Sequence, residues 1–159
     1  MPFTSTASKA AVLGSGTILS ILGPTGVTPA ATPVAIGEIS DFKFDGWKTS
    51  TTTNTNFDSG NVVQNLGTLF DWGTLTATYN NVPNNPGQLA LLAAAQSRVA
   101  YDFTLQLPNE PLWGQILTGN LYTISGVVTS AGGFDASQTK VSSCQLTVQI
   151  NNIVITAGS

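Results

Sequence analysis

Hydrophobic and polar residues alternate one by one along most of this chain. In Thr74-Leu75-Thr76-Ala77-Thr78-Tyr79 the threonines take one parity and the apolar residues the other, and Val99, Tyr101, Phe103, Leu105 and Leu107 alternate likewise with Ala100, Asp102, Thr104 and Gln106. A period of two sends successive side chains to opposite faces, so both segments predict half-buried strands. Further strands are expected at 35–44, 112–117, 121–130 and 143–156, separated by glycine, proline and asparagine. In the last of these, Leu146, Val148 and Ile150 share a parity that Ile153 and Ile155 do not, which puts a bulge or tight turn at Asn151-Asn152. The apolar run from Ala10 to Leu22 is interrupted by Gly14, Ser15, Gly16, Thr17 and Ser20, and reads as two short strands around Gly-Ser-Gly rather than as a leader. Pro24, Pro29 and Pro33 mark a loop or arm that completes an N-terminal region, 1–33. Thr49 to Gly60 is polar and irregular, too long for a hairpin turn, and predicts a long loop over 49–61.

The alternation stops once, between Asn80 and Arg98. Asn85 can cap a first helical turn, Pro86 suits the first helical position, and Gln88 stands where the return half of a capping box belongs. Leu89, Leu92, Ala93 and Gln96 follow the 3.6-residue period, so a helix of about three turns is expected to lay Leu89 and Leu92 on a sheet, with Ala93 allowing close approach. Arg98 near its end complements the helix dipole. One short helix flanking antiparallel strands is an α+β, mainly β arrangement.

Composition narrows what such a domain does. The 159 residues fit a single domain, 1–159, and 42% hydrophobic content supplies a core. Only 8% are charged, against roughly 25% in ordinary soluble domains; a surface of neutral polar groups suits packing against neighbours. The net charge is −3, and Lys9, Lys43, Lys48, Arg98 and Lys140 are scattered singly, which argues against a nucleic-acid-binding groove. No stretch approaches the ~20 apolar residues of a membrane span. With no histidine and one cysteine, Cys144, in an apolar alternation that predicts a buried, inert thiol, the sequence offers neither a common general base nor a zinc set, and implies no cofactor, metal site or catalytic residue. Glu38, Asp41 and Asp45, with Lys43 among them, match no calcium loop and read as a solvated strand face. Trp47, Trp72 and Trp113 could form a sugar-stacking platform, but each adjoins a glycine in a turn-like context, which favours core or interface packing.

The order of elements from Thr51 to Pro108 carries a resemblance. Asn56-Phe57-Asp58-Ser59-Gly60 is followed by Leu66-Gly67-Thr68, by Asp71-Trp72-Gly73-Thr74-Leu75, by Asn85-Pro86-Gly87-Gln88-Leu89-Ala90-Leu91-Leu92 and by Asp102-Phe103-Thr104-Leu105. This succession resembles the major tail tube proteins of long-tailed (siphovirus-type) bacteriophages, closely over about a third of the chain; Val62-Val63-Gln64-Asn65 departs from it where relatives commonly carry charged or aromatic residues. The resemblance implies an antiparallel β-sandwich or small barrel with one flanking helix, and a structural subunit, not an enzyme. Such subunits join as homohexameric rings stacked into a tube through which DNA passes without being held. It implies tape measure, terminator and tip proteins as further partners, assembly in the host bacterial cytoplasm and a place in the virion. Asn54, Asn56, Phe57, Asp58, Ser59 and Gly60 are expected at the subunit interface, and Asp71 and Asp102 are candidates for the lumen. A β-sandwich adhesion or carbohydrate-binding module, a related secretion-system tube protein and, more distantly, a hydrolase are the competing readings.

Overall fold

The computed structural model describes residues 16–27, 32–55, 60, 62–109 and 118–159. Among the described residues nine strands and one helix run in the order β1 (Ile18–Pro24), β2 (Val34–Ala35), β3 (Ile39–Phe44), β4 (Lys48–Thr53), β5 (Asn65–Asp71), β6 (Thr74–Asn80), α1 (Pro86–Ser97), β7 (Ala100–Gln106), β8 (Leu121–Ser137) and β9 (Lys140–Thr156). Seven strands form one antiparallel sheet in the order β2-β1-β7-β8-β9-β6-β3, and β4 and β5 form a separate two-stranded ribbon.

The large sheet is rolled, as a short stretch of chain requires. Val34–Ala35 is hydrogen-bonded at one edge and Ile39–Phe44 at the other. Four residue steps separate Ala35 from Ile39 and span at most about 14 Å, so the two edges lie close together. Phe42 and Phe44 of edge strand β3 accordingly line one apolar cavity with Leu105 of β7 and Tyr122 and Ile124 of β8. The expected continuous strand over 35–44 is thus broken in two, with Glu38 in left-handed backbone (φ 59°) at the crossing.

Alternation places the core as expected. Leu75, Ala77 and Tyr79 of β6, Phe103 and Leu105 of β7, and Cys144, Leu146, Val148 and Ile150 of β9 are buried together. Ser125 pairs with Asn152 and Gly126 with Ile150, so Asn151 is the extra residue of a bulge; it lets Ile150 and Ile153 both point inward despite their opposite parity. β1 supplies the second of the two short strands expected within 10–22, whereas residues 10–15 and the expected strand at 112–117 lie outside the described residues.

Two expectations are corrected. The segment 49–61 is not one irregular loop: its first part belongs to β4, which pairs with β5 from Thr53↔Asn65 to Lys48↔Asp71, and Leu66-Gly67-Thr68 lies inside β5. Just beyond the last pair, Asn54 N donates to the Gln64 carbonyl at 2.8 Å. Every residue of both strands is exposed, so no buried face imposes an alternation that marks them as strands.

The helix is where it was expected, capped by Asn85, whose side chain accepts from Gln88 N at 3.1 Å, but it presents a different face. Leu89 is 55% exposed and Leu92 39%, whereas Leu91 and Ala94 are fully buried and Ala93 is outside. Gly87 and Gln88 fix the rotation. A Cβ on Gly87 would collide with the Ala35 backbone, and the Gln88 amide accepts from Val82 N (3.0 Å) and donates to the carbonyls of Asn80 (2.8 Å) and Gly37 (3.2 Å). Gln88 therefore bonds to the sheet side and does not complete the capping box. With leucines on both sides of the helix, apolar spacing alone left its rotation undetermined. Arg98 serves as a left-handed C-cap (φ 58°).

Candidate assembly surface

The β4–β5 ribbon stands out from the rest of the molecule. A two-stranded ribbon is marginal in water unless a third layer covers it, yet this one exposes Leu66, Leu69 (73%) and Phe70 on β5 beside the threonines of β4. At its root Trp47, Phe70 and Trp72 pack edge to face: Trp47–Trp72 centroids are 6.0 Å apart at 85°, and Phe70–Trp72 centroids 4.9 Å apart at 90°. Tilted rings that use one another's faces make no flat platform for a sugar ring, and they anchor the ribbon instead. Trp113 lies outside the described residues. Of the expected interface residues, Asn54 is exposed just after β4 and Gly60 is exposed with φ 59°, and Asn56, Phe57, Asp58 and Ser59 lie outside the described residues.

A second surface is the non-core face of the large sheet. Register sets Thr76 beside Thr147, Thr104 beside Thr123 and Thr74 beside Gln149, all on the parity opposite the buried residues. Asp102 belongs to this face, paired with Ser125. Its carboxylate accepts from Thr25 Oγ1 at 2.8 Å, and that hydroxyl lies 2.9 Å from Ser125 Oγ. Asp71, the other lumen candidate, ends β5 and accepts from Gly73 N at 2.9 Å and from Gln149 Nε2 at 3.4 Å, reaching the hydroxyl face only at its margin. The Lys43–Asp45 ion pair (3.2 Å) and the exposed Asp41 fit a solvated strand face.

The outer side of α1, with Leu89 and Leu92, and the end of the β8–β9 hairpin, with Phe134 and Val141, add exposed apolar side chains that sequence reasoning missed. Their signal was present in Phe134 and Val141, apolar residues among Gly, Asp, Ser and Lys with no alternation around them.

No protein-family model and no curated protein matches the chain. Solved structures do. The SPP1 tail tube, determined by solid-state NMR and cryo-EM, matches with a TM-score of 0.67 and 10% identity over 94% of this chain and 80% of that one. The chain has the tail tube fold. The same tube fold is matched by the tail of an empty GTA particle with C6 symmetry (TM-score 0.65, 13% identity, 92% of this chain and 100% of that one). A chain of the six-fold symmetrised anti-feeding prophage baseplate matches with a TM-score of 0.63 and 14% identity over 89% and 92%. On this fold the apolar face is filled by α1 and the core, which leaves the hydroxyl face, the β4–β5 ribbon, the outer side of α1 and the end of the β8–β9 hairpin uncovered among the described residues.

Proposed function

We propose that this chain is the structural subunit of a tail tube, in which six copies close a ring and rings stack around a channel for DNA. The likeness of nearly the whole chain to tube subunits carries the reading, since it leaves almost nothing over for another activity. The surface agrees. A ring contact is heterologous, needing two different patches on each copy, and the exposed apolar residues of the ribbon, the helix and the β8–β9 hairpin supply several. The loop 54–60 and the ribbon behind it contact an adjacent copy. The hydroxyl and amide face, with Asp102 on it and Asp71 at its margin, lines the channel: it offers phosphates neither a basic groove nor a deep well. Terminator, tape measure and tip proteins cap and fill the tube, which resides in the virion after assembly in the host cytoplasm.

Electron microscopy of purified protein across a concentration series tests this. Rings or hollow tubes are expected; dispersed monomers at every concentration, with sugar binding in their place, would establish the adhesion module instead.

A further inference from the structure

The β4–β5 ribbon joins the body through two short crossings, 45–47 and 72–73, with a glycine in each. Gly46 (φ 80°) and Gly73 (φ 89°) both adopt left-handed backbone, and a Cβ on Gly73 would run into the Gly46 carbonyl. The root is therefore at its narrowest where the backbone is most freely rotated. Among the described residues the ribbon shares no strand pairing with the seven-stranded sheet. An open recess of about 520 Å3 lies between Leu69, Phe70 and Trp72 on one side and Ile150 and Asn151 on the other, leaving the ribbon room to turn.

One side chain of the body spans this root. Gln149 Nε2 donates to the Gly73 carbonyl (3.2 Å) and to Asp71 Oδ1 (3.4 Å), while Gln149 Oε1 accepts from Thr74 Oγ1 (3.3 Å). Asp71 Oδ1 also accepts from Gly73 N (2.9 Å). The hinge glycine is thus tied to the central strand β9 by the Gln149 amide and by a backbone bond from Ile150 N to its carbonyl (3.1 Å), and the last residue of the ribbon is tied to both by one carboxylate oxygen.

We infer that Asp71 and Gln149 are positioning residues, a clasp that holds the glycine-hinged β4–β5 arm at the angle at which its apolar side chains meet a second copy of the chain. The inference rests on the tube reading for the identity of the partner, and on the geometry of the root for the clasp itself. An unclasped arm spreads over many angles, and only the fraction at the docking angle binds, so apparent affinity falls by that fraction. Asp71→Ala removes two bonds to a carboxylate and Gln149→Ala three bonds of its amide, which corresponds to a drop of about tenfold or more.

Spin labels on Thr52→Cys in the arm and Thr104→Cys in the body, with the native Cys144 buried and unlabelled, report the arm's angle in dilute protein. A narrow distance distribution is expected for the parent chain and a broad one for Asp71→Ala and for Gln149→Ala, with thermal unfolding little changed. Asp71→Asn keeps the accepting Oδ1 and should restore the narrow distribution. The concentration for half-assembly should rise about tenfold or more in the two alanine variants and return to the parent value in Asp71→Asn. A broad distribution in the parent chain, an equally narrow one in the alanine variants, or an Asp71→Asn that behaves like Asp71→Ala would overturn the clasp. Failure of the parent chain to assemble would overturn the tube reading while the spin-label distances still decide the clasp.

Discussion

Gln88 is 5% exposed, and both ends of its amide are bonded to backbone that belongs to no helix: Val82, Asn80 and Gly37. It fastens the first turn of α1 to the stretch that crosses between the sheet edges, and the rotation it sets decides which leucine matters. Leu91→Ala should cost about 2–5 kcal/mol, as truncation of a fully buried leucine does, and Leu91→Asp should prevent folding because the carboxylate has no partner there. Leu89→Asp and Leu92→Asp, on the exposed side, should fold and unfold in urea at midpoints near the parent's. Asn85→Ala should lower stability by about 1 kcal/mol through the lost cap. Tyr79 is the other buried polar group of consequence. Burial pushes its hydroxyl above the usual tyrosine pKa, helped by Cys144, the residue directly across from it on β9, against a smaller opposing pull from the Gly132 backbone. The folded state then keeps the proton longer than the unfolded chain, so this contribution to stability is whole below about pH 10 and declines as the pH rises from there through the raised folded value. Denaturation midpoints measured from pH 8 to 11 should show that alkaline decline, and Tyr79→Phe should flatten it.

At the level of elements, what the sequence reveals depends on whether one face of a strand is buried. β6, β7 and the body of β9 each have a dry and a wet side, and their alternation was readable residue by residue, down to the bulge at Asn151. β4 and β5 are wet on both sides, so threonine after threonine looked like a loop even though β-branched residues favour strands. The helix was legible from its cap, but Leu89, Leu91 and Leu92 spread apolar character around it, and the tie-breaker, Gln88 bonding to backbone some fifty residues away, leaves no local signal. The candidate interface was legible as a region and not as a surface: Leu66, Leu69 and Phe70, which the ribbon exposes, lie just past the polar stretch that attracted notice. Deleting Asn151 tests the bulge. Without the extra residue Ile150 and Ile153 fall two apart and keep one face in a regular strand, so the deletion should leave the unfolding temperature near the parent's, while deleting Asn151 and Asn152 together, which sets Ile153 next to Ile150 and on the opposite face, should lower it sharply.

For the whole molecule, the tube reading gathers six copies at −3 each into a ring of −18, with the Asp102 carboxylates on the hydroxyl face that the reading turns toward the channel. Asp102→Lys would set six cations per ring along the path of the DNA, with repulsion replaced by attraction that salt screens over a Debye length of about 8 Å. Particles carrying it should assemble, eject DNA slowly at low salt and recover as salt is added; intact particles with unchanged ejection would take Asp102 out of the lumen. The sheet order has a temporal consequence as well. β9 lies between β8 and β6, and of the described strands it is the last to leave the ribosome. Until it arrives, β3–β6 and β2-β1-β7-β8 are two part-sheets with no strand pairing between them, and β1 itself has waited some eighty residues for β7. Pairings so distant in sequence close slowly. Nascent chains, with β9 missing, lack both the finished body and the Gln149 that ties the ribbon to it. On the tube reading, a chain without β9 presents an unclasped arm, and growing chains on adjacent ribosomes should bind one another more weakly than finished ones.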